Sequence, residues 1–294
     1  MNISARQTRK QDMPVAALIT GGTEGIGNAV AAGLLRRKAV DRLFIVGRDP
    51  QKGGKVTAEL EGVSSQPVKI EFIAADLSLL SEAARAADIV SQATPELRYL
   101  VHSAGVILPT RQMTAEGEDA SFAVNYLSRF VLTERLMPLL KAGRPSRVLI
   151  IGGHSLNGRV NFDDPTLEGR WTALRALGQY QRANYIYAVE AARRFAGTGI
   201  TVNVVAPGIV DTGIRRQVGV MRLLNPVLKP FMRSPERAAE DVVAHLMDSA
   251  FDERSGELYS GVKPMQIKPD ILSKDNGRRL WELSERCAQR VGIV

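Results

Sequence analysis

Cysteine is almost missing from this chain of 294 residues, where Cys287 is the single thiol. One thiol excludes an internal disulfide framework and a cysteine-rich metal site, and a reducing, cytoplasmic compartment is the expectation. Histidine is scarce as well. His102, His154 and His245 are the only three and show no HxxxH spacing, so no metal is expected in the chemistry. Aromatic residues make up 5% of the chain, and none interleaves with basic residues in a stacking motif. The formal net charge of +8 is scattered over sites such as Arg36, Arg37 and Lys38, or Arg278 and Arg279. That scatter predicts a solvated basic surface and no nucleic-acid partner. No apolar run reaches the length that spans a bilayer. Residues 1–13 are polar and basic, and they read as a disordered lead-in rather than a signal peptide, with one domain over 14–294.

Apolar runs and helical spacing alternate from Ala16 onward. Val15–Thr20 is a short apolar run ending in glycine, the pattern of a buried strand. Helical spacing follows from Gly25 to about Lys38, closed by a basic turn that suits a helix C-terminus. Further strands are predicted at Leu43–Val46, Val68–Ala74, Tyr99–His102, Val148–Ile151 and Thr201–Val205. Helices are predicted near 50–60, 79–93, 118–140 and 178–196. This alternation predicts an α/β fold: a doubly wound parallel sheet of Rossmann type, in a single domain. The segment 215–233 breaks the rhythm, being apolar and basic with Pro226 and Pro230. A substrate lid over 213–235 is one reading, because sites in such sheets lie beyond the carboxyl ends of the strands. A core-packing helical hairpin, a dimer contact and membrane-surface association are the others.

The chemistry begins at Thr20-Gly21-Gly22-Thr23-Glu24-Gly25-Ile26-Gly27. The stretch leaves a strand and opens a helix. Glycines there permit the tight turn and let a pyrophosphate approach the backbone at the positive end of the helix. The form Thr-Gly-x-x-x-Gly-Ile-Gly resembles the short-chain dehydrogenase/reductase family, and later landmarks fall in order. Arg48 closes the second strand where an acid would hold the ribose hydroxyls of NAD. An arginine there pairs with a 2′-phosphate instead, so the expected cofactor is NADP(H).

The resemblance implies further roles. Asp76-Leu77 is similar to the family's adenine contact. Ser103-Ala104-Gly105, after His102, matches its Asn-Asn-Ala-Gly turn. Asn125 matches its helix asparagine. Pro207-Gly208-Ile209-Val210-Asp211-Thr212 resembles its Pro-Gly motif, whose threonine contacts the nicotinamide side of the cofactor. Ser255-Gly256, Tyr259-Ser260 and Leu280–Ser284 are similar to the branch containing retinol dehydrogenases and protochlorophyllide reductases. That branch implies an apolar small-molecule carbonyl or alcohol as substrate, and a homodimer or homotetramer as the assembly.

The catalytic centre departs from the pattern. The family places a serine after the fifth strand and a Tyr-x-x-x-Lys pair on the next helix. Here the strand runs into Gly152-Gly153, and a gapless alignment through Ala183-Asn184 and Ala192-Arg193-Arg194 puts Leu177 at the tyrosine and Gln181 at the lysine. Leucine offers no proton, and glutamine hydrogen-bonds a ribose without charge. Tyr180, one helical turn on, and His154 and Ser155 in the loop are the candidate replacements, with Asn125 beside them. Tyr180 without a lysine stays neutral at pH 7 and suits reduction. His102 takes a structural position, and Tyr185 and Tyr187 read as packing residues. Three functions stay open. They are an NADP(H)-dependent reductase with an atypical proton donor, a cyclase, isomerase or dehydratase on the same scaffold, and a non-catalytic NADPH-binding protein.

Overall fold

Strands that are buried on both faces need no alternation of polar and apolar residues, and the central runs here have none. The computed structural model describes residues 15–153, 158–208, 210 and 232–293. The expected lead-in over 1–13, most of the expected lid over 213–235, and His154, Ser155 and Thr212 lie outside them. The elements run β1 (Ala16–Thr20), α1 (Gly25–Arg36), β2 (Arg42–Gly47), α2 (Pro50–Glu61), β3 (Lys69–Ala74), α3 (Leu80–Ala93) and β4 (Tyr99–His102). After β4 come α4 (Ala120–Phe122), a π turn over Ala123–Leu127, α5 (Ser128–Arg135), α6 (Met137–Ala142) and β5 (Ser146–Ile151). Then follow α7 (Ala173–Arg194), β6 (Ile200–Ala206), α8 (Pro235–Met247), β7 (Leu258–Ser260), β8 (Lys263–Pro264), α9 (Pro269–Leu272) and α10 (Lys274–Arg290).

One sheet of eight strands holds them, in the order β3-β2-β1-β4-β5-β6-β7-β8. All neighbours are parallel except β7 and β8. Thr20 stands level with Val46 on one side and His102 on the other. Successive residues of β1 face opposite ways, so Ala16 and Leu18 join one core and Ala17 and Ile19 the other. The first core lies under α3, α5, α7 and α10, the second under α1, α2 and α8. This is a three-layer Rossmann-type fold in one domain.

Three details differ from the sequence expectation. The helix expected over 118–140 is cut into α4, the π turn, α5 and α6, with Pro138 opening α6. Helix α7 starts at Ala173, ahead of the expected 178, because Thr172 caps it: its hydroxyl accepts from the Arg175 amide at 3.2 Å. β7 and β8 are too short, at three and two residues, to show periodicity. Helix α10 closes the first core through Trp281, whose ring stacks on Tyr187 with centroids 5.8 Å apart.

Candidate active site

The sheet's strand order reverses between β1 and β4, and the crevice that opens there at the carboxyl ends holds the site. Gly21 and Gly25 have φ of +66° and +58°, a conformation that side chains resist. Gly27 is held by contact instead: a Cβ there would lie 2.4 Å from the Gly21 carbonyl oxygen. Glu24 caps none of the α1 amides and pairs with Lys52. The leading N–H groups of α1 are thus left to an outside acceptor, with the positive end of the helix behind them. Thr20 Oγ1 accepts from the Ser103 and Ala104 amides at 3.2 Å each and ties the turn after β4 to the loop.

These walls enclose a cavity of about 600 Å³. Gly21, Thr23, Glu24, Gly25, Ile26 and Arg48 line it, and so do Asp76, Leu77, Ala104, Gly105, Pro207, Gly208 and Val210. Two expected cofactor residues do not reach it. Gly27 packs beneath Gly21, and Ser103 serves the turn through its backbone. Arg48 is exposed and has no ion-pair partner among the described residues, whereas its neighbour Asp49 caps α2. Asp76 accepts from the Ser78 amide at 3.0 Å.

The buried end of the cavity carries Asn125, Arg129, Tyr180, Gln181 and Asn184, with Val106, Ile107, Val124 and Leu177 as apolar walls. Asn125 sits in the π turn. Its amide accepts from the Val106 N–H at 3.1 Å and donates to the Val106 and Ser121 carbonyls at 2.9 and 2.7 Å. The amide is therefore spent on bracing the loop after β4. Its carbonyl accepts from Asn184 at 2.9 Å, which joins the π turn to α7.

Gln181 fills the space over Gly153. A Cβ on Gly153 would come 2.4 Å from its Nε2, and one on Gly152 would come 2.8 Å from Val204 Cγ1. Its Oε1 is buried and has no donor among the described residues, an acceptor left for a hydroxyl. Tyr185 donates to the Gly153 carbonyl and so holds this loop as well as packing. Tyr180 is 8% exposed, and no described residue hydrogen-bonds its hydroxyl. Burial pushes that hydroxyl above the ordinary phenol value, and the charge of Arg129 pulls it part of the way back.

Arg129 is the residue that sequence reasoning missed. It lies four positions after Asn125, between Ser128 and the apolar run Phe130, Val131 and Leu132, and lines the same cavity. An arginine on a buried face was the available signal. Burial brings its own value down to about 10, still charged at neutral pH. Burial first, then Arg129, holds His102 well below the usual imidazole value. His102 instead hydrogen-bonds Thr133 at 2.9 Å, a structural place as expected.

The open helix end, and an Arg48 and a Gln181 acceptor without partners among the described residues, fit a phosphorylated dinucleotide. Among the described residues no group of three His, Cys, Asp or Glu side chains is placed to hold a metal, and no helix is long and apolar enough to cross a membrane.

Comparison with known proteins agrees with this geometry. A family model described as short chain dehydrogenase matches residues 15–164. Human "Retinol dehydrogenase 14" is 30% identical over 285 residues, covering 91% of this chain and 84% of its own length. Mouse "Retinol dehydrogenase 12" is 30% identical over 269 residues, with the same coverage of 91% and 84%. Among solved structures, the Pseudomonas aeruginosa RhlG/NADP active-site complex superposes with a TM-score of 0.66 at 25% identity, covering 84% of this chain and 93% of that one.

Proposed function

The chain belongs to the short-chain dehydrogenase family, and from that premise we propose that it is an NADP(H)-dependent reductase of apolar carbonyl compounds, with Tyr180 as its proton donor. The observation that carries this reading is a cavity lined at one place by an arginine after β2 and at another by a buried tyrosine, neither of whose polar groups has a side-chain partner among the described residues. Arg48 would meet the 2′-phosphate, the open α1 terminus would take the pyrophosphate, and Gln181 Oε1 would accept from a ribose hydroxyl. The bound nicotinamide supplies a hydride.

The protein's own part is to exclude water, orient the carbonyl and give a proton. Val106, Ile107, Val124 and Leu177 supply an apolar wall for the substrate. Tyr180 is held protonated, so it enters the reaction as an acid, which favours reduction over alcohol oxidation. The NADP complex of RhlG and the names of the retinol dehydrogenases support the cofactor and an apolar substrate.

A scaffold for non-redox chemistry has one observation in its favour: Gln181 fills the space over Gly153, so no proton relay of the family's usual kind is left. The deciding experiment is NADPH consumption against a panel of apolar aldehydes and ketones. Turnover in the wild type, lost in Y180F with NADPH binding intact, is expected. Binding of NADPH with no turnover on any carbonyl overturns the reductase reading.

A further inference from the structure

An unpaired charge is the costliest thing a protein buries, and Arg129 is one. It is 4% exposed, and no described carboxylate pairs with it. Its guanidinium donates to two neutral acceptors, the Ile151 carbonyl at 3.2 Å and the Ala104 carbonyl at 2.8 Å. These bonds hold it between the ends of β4 and β5. Three of its five N–H donors have no described acceptor, among them the buried Nε. Two carbonyl bonds do not offset the burial of a full charge, and a neutral amide would tie the two strands without that cost. The charge therefore has another use, and it borders the cavity that Tyr180, Gly152 and Gly153 also line.

We propose that Arg129 makes the buried end of the cavity an oxyanion site, holding the substrate oxygen as negative charge gathers on it. The inference rests on the reductase reading above, and it names the group that replaces both the serine and the lysine of the family pattern. The positive charge missing from α7 at Gln181 comes from the facing helix α5. As the carbonyl carbon gains its hydride, the π electron pair moves to oxygen, and that oxygen takes the Tyr180 proton. Tyr180 is left as phenolate and regains its proton from solvent. Arg129 gains and loses nothing, and acts by charge and donated hydrogen bonds. Its field favours both anions of this sequence, the substrate oxygen and the phenolate.

The site is testable without turnover, using a carboxylate as a stable stand-in for the oxyanion. Octanoate and its neutral partner octanamide are titrated calorimetrically into the protein, with and without saturating NADP+. Octanoate is expected to bind at least ~10-fold more tightly than octanamide in both arms, and R129M is expected to equalise the two. Should R129M not fold, R129Q keeps an amide donor for the strand-end carbonyls without the charge and is expected to lose the same preference, while R129K retains part of it. In carbonyl reduction R129Q is expected to lower kcat about 10²- to 10³-fold with little change in KM. Equal binding of the two probes to the wild type, or an octanoate preference that survives in R129Q, overturns the proposal and leaves Arg129 a strand clamp. An Arg129-dependent preference with no carbonyl turnover would instead overturn the reductase reading and keep the anion site.

Discussion

Arg48, Tyr180 and Gly152 each make a separable claim at the scale of single residues. Among the described residues Arg48 has no ion-pair partner to lose, so R48A is expected to change the unfolding free energy by no more than the roughly ±0.5 kcal/mol typical of a surface change. The same change should weaken NADPH binding by about 10- to 100-fold and leave NADH nearly untouched, as read by calorimetry. Equal losses for both cofactors would remove Arg48 from the phosphate. Gly152 and Gly153 are not equivalent places for restoring a serine. At 153 the obstacle is the tip of the Gln181 side chain, which can swing away. At 152 it is the branched Val204, 2.8 Å from the added carbon. G152S is therefore expected to cost about 1–3 kcal/mol in denaturant unfolding, and G153S less than that.

Helices α7 and α10 carry the element-scale argument, because they stand the site's wall against the core. Trp281 of α10 is 5% exposed, surrounded by the rings of Tyr187, Phe130 and Phe195 and covered by the Arg194 guanidinium 4.1 Å from its ring. W281A is expected to cost about 3–5 kcal/mol. Removing the α7 cap in T172A should cost about 1 kcal/mol. Since α7 bears both Tyr180 and Gln181, a loosened α7 should also raise KM before it lowers kcat. A thermal melt beside steady-state kinetics checks both. The π turn is the other element that matters. It was expected as plain helix, since no local propensity marks a π turn, and it brings the Asn125 carbonyl to Asn184.

Buried titratable groups set a pH response of the whole molecule. Burial pushes the Glu134 carboxyl up to about 7, and one of its oxygens has no donor. Its folded value lies above the unfolded one, so the folded state holds the extra proton between the two. The contribution is fully present below about 4.5 and is lost as pH rises through about 7. His102 slopes the other way: its folded value is depressed, so stability falls as pH drops below the free imidazole value of 6.5. The two partly cancel in the wild type. E134Q is expected to be stabilised relative to the wild type at pH 8 and unchanged at pH 4, measured by urea unfolding. A gain of equal size at both pH values would show that charge on Glu134 is not the cause.

The order of elements, the parallel sheet and the glycine loop were legible in the residues, because each rests on local spacing: apolar runs, a helical period, glycines where backbone must turn tightly. The arginine after β2 was legible for the same reason, as a residue at a fixed place after a strand. The π turn after β4 and the two short last strands were not, since no local spacing marks a π turn and strands of three and two residues show no periodicity; the Thr172 cap of α7 was a local signal that went unread. Arg129 shows the limit most plainly. In the sequence it is one of many scattered positive charges, read together as a solvated surface. Only the packing of α5 against the ends of β4 and β5 strips water from this one and brings it to the wall beside Tyr180. Burial, which no single stretch of chain determines, turns an ordinary arginine into a site.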